Sequence, residues 1–286
     1  MSALDWRPLA GVDLARLQEA RLQAHYAVQW LARAAQAFIA PKPDDSHMSL
    51  SWEDAYGGFA THKLQGMRLG VKLLPLSLAT LEGKNSEPGR VLVLDGQKDA
   101  DVRNWFGETA HSVGLDARSL DKPLPYKIFS HRIATGSPYN TSNLDDSLRE
   151  ISAWFSNADK SIARIADAMR QNKFEVTMVR CSPQHFDLNA QIVVQAGKGT
   201  LESGRMIVAG LSPGDIHYNE PYFYVMPSPA PPPGKLPPLP EPGRWHIKGF
   251  TAAILPAQRI LSSQARQTFV EKFLVEAVGS SLKALV

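Results

Sequence analysis

His185-Phe186-Asp187-Leu188-Asn189-Ala190-Gln191-Ile192 alternates polar and apolar residues without a break. A period of two is that of a β-strand, whose successive side chains point to opposite faces. Phe186, Leu188, Ala190 and Ile192 are therefore expected on a core face, with His185, Asp187, Asn189 and Gln191 on the other. Upstream, Leu148, Ile151, Phe155, Ala158, Ile162, Ile165 and Met169 recur every three or four residues, which predicts a long helix before the strand. Downstream, strand-like runs at 174–179, 205–209, 221–226 and 245–255 are separated by turn residues such as Gly197, Gly199 and Gly204. A helix carrying Phe269, Phe273, Ala277 and Leu285 closes the chain. Short strands in sequence, bracketed by helices, read as an α+β fold with an antiparallel sheet.

The same order is legible earlier. Leu14, Leu17, Ala24, Val28, Leu31, Ala35 and Phe38 mark a helix stopped by Pro41 and Pro43. Strand-like runs at 48–53, 59–64, 68–81 and 90–94 follow, and then a helix carrying Val102, Trp105, Phe106, Thr109 and Val113, ended by Gly114. The expected architecture is two helix–antiparallel sheet–helix halves, 1–114 and 143–286, joined by a proline-bearing linker at 115–142. His47-Met48-Ser49-Leu50-Ser51-Trp52 can be laid on His185-Phe186-Asp187-Leu188-Asn189-Ala190, so an internal duplication packed as one body is a further expectation. Residues 227–243 are proline-dense and read as a stiff strap between two strands.

Composition narrows the function classes. Hydrophobic residues are 44% and charged residues 21% of 286 residues, globular values that permit a real core. A formal net charge of +3 is too small for a polyelectrolyte, and no aromatic–basic ribonucleoprotein signature occurs, so no nucleic-acid partner is expected. No run of about 18 apolar residues exists and the first residues lack a signal-peptide core, so a cytoplasmic protein without a membrane partner is expected. One cysteine, Cys181, excludes an intramolecular disulfide and a thiolate cage. Oligomeric state is not encoded in any pattern of this kind.

Several motifs resemble chemistry without supporting it. Gly210-Leu211-Ser212-Pro213-Gly214 matches G-x-S-x-G, but Pro213 has no N–H for an oxyanion hole and no helix follows, so it reads as a tight turn. Gly197-Lys198-Gly199-Thr200 lacks the rest of a phosphate loop and reads as a hairpin turn. No dinucleotide fingerprint and no H-E-x-x-H occurs, and Asp215, His217 and Glu220 are ordinary residues of a polar turn, so no cofactor and no metal are expected.

What remains is the polar strand face. A sheet face that meets water usually carries lysine, arginine or threonine, whereas His185, Asp187, Asn189 and Gln191 are short or planar hydrogen-bonding groups suited to a partly enclosed site. His47 is the corresponding residue of the first half, and Tyr222 and Tyr224 share one face of a later strand, offering aromatic area with a hydroxyl tip. The expectation is a small-molecule-binding protein using a polar groove between or within the two halves, lined by His47, Asn189, Gln191, Tyr222 and Tyr224, with His185 and Asp187 as its candidate chemical pair. One alternative is a hydrolase or isomerase in which Asp187 orients His185 as general base. A second is an interaction scaffold presenting the Leu14–Phe38 stripe or the proline tract.

Ser182-Pro183-Gln184-His185-Phe186, and then Glu220-Pro221-Tyr222-Phe223-Tyr224 before prolines, resemble the S-P-x-H-F and E-P-x-F-Y elements of a family of uncharacterised bacterial proteins, a domain of unknown function. That resemblance covers chiefly the second half and implies a bacterial source, with no activity attached.

Overall fold

The computed structural model describes residues 6–83, 86–197 and 204–285, so the glycine-rich turn expected at Lys198–Thr200 lies outside the described residues. The fold is α+β, with one five-stranded and one seven-stranded antiparallel sheet. The chain divides into two compact units. One comprises Val12–Ser152 with Cys181–Phe186; the other comprises Met1–Gly11, Ala153–Arg180 and Asp187–Val286.

In the first unit, α1 (Leu14–Phe38) begins where the Asp13 carboxylate accepts from the Arg16 N–H at 2.9 Å, satisfying an otherwise orphaned donor. A meander follows: β1 (Ser51–Glu53), β2 (Gly58–Ala60), β3 (Arg68–Lys72), β4 (Ser77–Glu82) and β5 (Glu87–Val93), each paired with the next. The run expected as one strand at 68–81 is two, because the chain turns through Leu73–Leu76, where Pro75 cannot supply a ladder N–H. Along β5, Val91 and Val93 are about half exposed. Helix α2 (Asp99–Ser112) sets Phe106 against Trp30 of α1, with ring centroids 5.4 Å apart. The 115–142 segment, expected as a connection between halves, lies inside this unit and buries Leu120, Ile133 and Tyr139.

Residues 183–186 form a turn held against α1 from two positions one helical turn apart. The Pro183 carbonyl accepts from His25 Nε2 and from Gln29 Nε2, both at 2.8 Å, and the His25 ring stacks on Phe186 at 5.2 Å. A carbonyl only accepts, so the His25 proton sits on Nε2. Burial pushes His25 from 6.5 down to about 4, with Arg21 and His185 acting in the same direction and the Pro183 bond opposing. The folded chain therefore takes up the second ring proton less readily than the unfolded chain. The stabilisation is whole above pH 6.5 and is lost as pH falls toward 4. We expect a loss of about 2 kcal/mol between pH 7.5 and pH 5, read as a lower urea midpoint, and a flatter profile for His25→Gln. Parallel profiles for the two proteins would show that the buried imidazole is not the cause.

In the second unit, α3 (Asp145–Gln171, from Ala153 onward) and α5 (Arg266–Leu285) accompany the larger sheet, with the short α4 (Ala257–Leu261) between strand and helix. The strands of the larger sheet are β6 (Glu175–Val176), β7 (Arg180–Ser182, of which Arg180 alone belongs to this unit), β8 (Asp187–Gln195), β9 (Arg205–Ser212), β10 (Tyr222–Ser228), β11 (Arg244–His246) and β12 (Ala252–Pro256). Their order is β11-β12-β10-β9-β8-β6, with β7 also on β8. The run expected as a single strand at 245–255 is thus β11 and β12. The Gly210–Gly214 run, expected as a turn, continues β9 through Ser212 and turns only from Pro213.

One face of this sheet is apolar: Leu188, Ala190 and Ile192 of β8, Leu211 of β9, Phe223 and Val225 of β10 and Leu255 of β12 are all buried. Phe223 receives Trp154 of α3, and Trp6 from the start of the chain stacks on it at 6.3 Å. The expected strap at 227–243 joins β10 to β11; its Pro237 carbonyl accepts from Trp245 Nε1 at 2.8 Å and its Pro238 carbonyl from Ser280 Oγ at 3.1 Å. No helix among the described residues is long and apolar enough to cross a membrane.

Candidate functional site

The other face of the seven-stranded sheet gathers polar groups through strand register. Asn189 pairs with Gly210, Gly210 with Tyr224, Tyr224 with Ile254 and Ile254 with Arg244, and directly opposed residues of antiparallel strands share a face. By period-two alternation, Asp187 and Gln191 of β8, Ser212 of β9, Tyr222 of β10 and His246 of β11 belong to that same face.

At its centre the Tyr224 hydroxyl donates to Asp187 Oδ2, and Asn189 Nδ2 donates to the same oxygen at 3.1 Å. The phenol must cross β9 to reach β8, and Gly210 is what lets it. A Cβ at Gly210 would stand 2.7 Å from both Tyr224 Cζ and its hydroxyl oxygen, and 2.7 Å from the Leu188 carbonyl oxygen. One strand end away, the Tyr222 hydroxyl donates to Asp215 Oδ2 at 2.6 Å. Asp215 Oδ1 accepts the backbone N–H of His217 at 2.7 Å and of Tyr218 at 3.0 Å, a local turn that fixes the carboxylate for the phenol. Burial, then the adjacent carboxylates, push both phenols well above the ordinary tyrosine range. Each therefore remains a donor throughout neutral pH.

A partly exposed aromatic rim surrounds these pairs. Tyr218 packs on Tyr222 with centroids 5.0 Å apart, and Phe250 on His246 at 4.2 Å. His246 Nε2 lies 2.6 Å from the Lys248 carbonyl oxygen, so it carries the proton, and Nδ1 accepts from the Tyr218 hydroxyl at 2.8 Å. The exposed His217 sets its ring edge-on against Phe250 at 5.1 Å. The Arg244 guanidinium lies 5.9 Å from the Tyr218 ring centroid.

No protein-family model, curated protein or solved structure matches this chain.

Of the residues expected at a site, Asp187, Asn189, Gln191, Tyr222 and Tyr224 share this face. His185 does not. It is exposed on the turn before β8, because Phe186 adopts φ +56°, a left-handed conformation that ends the alternation one residue short of it. Strand parity therefore holds from Asp187 onward only. His47 is in the other unit, buried on a single turn at Ser46–Met48, where its Nδ1 accepts the Lys42 N–H at 3.2 Å. The side chain of Gln191 is half-buried.

Asp215, Tyr218, Arg244, His246 and the spacing role of Gly210 had no signal in local sequence pattern, since cross-strand register brings them together. Glu220 is engaged elsewhere, its Oε2 accepting the Gln258 N–H at 2.7 Å. No three His, Cys, Asp or Glu side chains converge on a metal position among the described residues. His131 has the look of a catalytic imidazole, with Nε2 3.2 Å from the Glu19 carboxylate. Its Nδ1, however, accepts the Ile133 N–H at 3.3 Å, so one ring nitrogen caps the turn at Arg132–Thr135 and the other ties it to Glu19 of α1.

Proposed function

We propose that the protein binds a small molecule on the polar, aromatic face of its seven-stranded sheet. The observation that carries this reading is the Asp187 carboxylate, only 8% exposed on that face and received by Tyr224 and Asn189. A buried carboxyl carries a desolvation cost that an apolar residue of the same volume does not, which makes it a candidate for a functional role. Beside it, the half-exposed Asn189, Gln191, Tyr218 and Phe250 combine amide donors and acceptors with aromatic surface, the usual lining of a ligand site.

A thermal-shift screen against metabolites tests this with the wild type, Tyr222→Phe, Asp187→Asn and His185→Ala side by side. Ligand at about 100 times its Kd adds about 2.7 kcal/mol to stability, a readable rise in Tm. The expected hit raises Tm in the wild type and in His185→Ala and has less effect on Tyr222→Phe and Asp187→Asn. A hit that stabilises all four proteins equally would remove this face from the reading.

A further inference from the structure

The charge at the sheet edge identifies the ligand class. It is carried by Arg244 on the edge strand β11, which shares the face of Tyr224; His246, two residues on, has both ring nitrogens engaged by Tyr218 and Lys248. Arg68, Arg103 and Arg164 each meet a carboxylate. Arg244 has a different setting. It is exposed, lies against the Tyr218 ring, and among the described residues no carboxylate lies within ion-pair reach of it. A cation–π contact uses the charge of a guanidinium and leaves its fork of N–H donors for an oxyanion.

Neither carboxylate of the face is paired with this charge: Asp187 is engaged by Tyr224 and Asn189, and Asp215 by Tyr222 and by the N–H groups of His217 and Tyr218. Tyr218, Phe250 and Ile254 pack with the two phenols into a largely apolar bed without charge of its own.

We propose that the molecule bound here is an oxyanion, a carboxylate or a phosphate ester, carried on a flat apolar body, with Arg244 as its counter-ion. The body rests on Tyr218 and Phe250. Any hydroxyl or amine donor it carries is directed to the carboxylate end of the face. This assignment rests on the small-molecule reading above and narrows it.

Four probes of one shape separate the classes: benzoate, phenyl phosphate, neutral benzamide and cationic benzylamine. Saturation-transfer NMR titrations are made on the wild type, Arg244→Gln and Arg244→Lys, with far-UV circular dichroism to confirm that each is folded. Benzoate or phenyl phosphate is expected to bind the wild type at least about tenfold more tightly than benzamide. Arg244→Gln is expected to erase that difference, Arg244→Lys to keep part of it, and added salt to reduce it. Preference between benzoate and phenyl phosphate distinguishes a carboxylate ligand from a phosphate ester. Benzamide or benzylamine binding as tightly as the anions, or anion binding indifferent to Arg244→Gln, would overturn the oxyanion while leaving the face a binding site. Binding of none of the four probes overturns it as well, and the metabolite screen then decides the broader reading separately.

Discussion

Asp187→Ala is expected to lower stability by about 3 kcal/mol, measured as a fall in the urea midpoint. The substitution leaves the Tyr224 hydroxyl, which is buried against Gly210, without its carboxylate acceptor, and deprives the Asn189 amide of the same oxygen. An unmet buried donor costs more than the mean worth of a hydrogen bond, because it has surrendered water and received nothing. Asp187→Asn retains an acceptor and is expected to lose less. Tyr224→Phe removes the donor instead, so the double variant Asp187→Ala with Tyr224→Phe should be less destabilised than the two losses added together. Strict additivity would mean that the pair does not act as a unit.

The second large effect belongs to the other sheet. Gly58 sits in β2 between Glu53 of β1 and Lys72 of β3, and a Cβ there would stand 2.0 Å from the Val71 carbonyl oxygen and 2.8 Å from Lys72 Cα. Both obstacles are backbone atoms, so no side-chain rotation relieves them. Gly58→Ala has to spread the β2–β3 pairing or lose it, with an expected cost of about 3 kcal/mol or more. Gly279→Ala, in α5 with nothing within 4 Å of the added carbon and no positive φ, controls for glycine replacement without a packing clash. A wild-type urea midpoint for Gly58→Ala would refute the close approach.

The fold was legible because it follows from local periodicities. The three- and four-residue spacing of Leu148 to Met169 and the alternation from Asp187 to Ile192 each describe one element, and each element formed. Tyr222 and Tyr224 share a face for the same reason. Parity failed at His185, where one residue with positive φ ended the alternation, and nothing in Phe186 as a residue type announces that conformation. His47 failed differently: the residues around it alternate, yet they close a turn instead of entering a strand. Gly210 read as a turn residue because glycine usually is one, whereas here it is a missing side chain in mid-strand over which a phenol passes. Arg244 and Asp215 are 29 residues apart in the chain and meet the same cluster only through register and a side-chain-built turn, which no local pattern encodes.

The outer margin of β5 has a consequence for how the molecule behaves in company. Val91 and Val93 are branched residues near the end of a strand whose partner on one side is β4, with no further strand paired beyond it among the described residues. A bare margin of that kind can template the addition of another chain, which is the first step toward aggregates. The same strand opens with Glu87, Pro88, Gly89 and Arg90: two charges, a residue without an N–H and one without a side chain. Charges, a missing N–H and a missing side chain beside the valines are the features that disfavour such addition at a sheet margin.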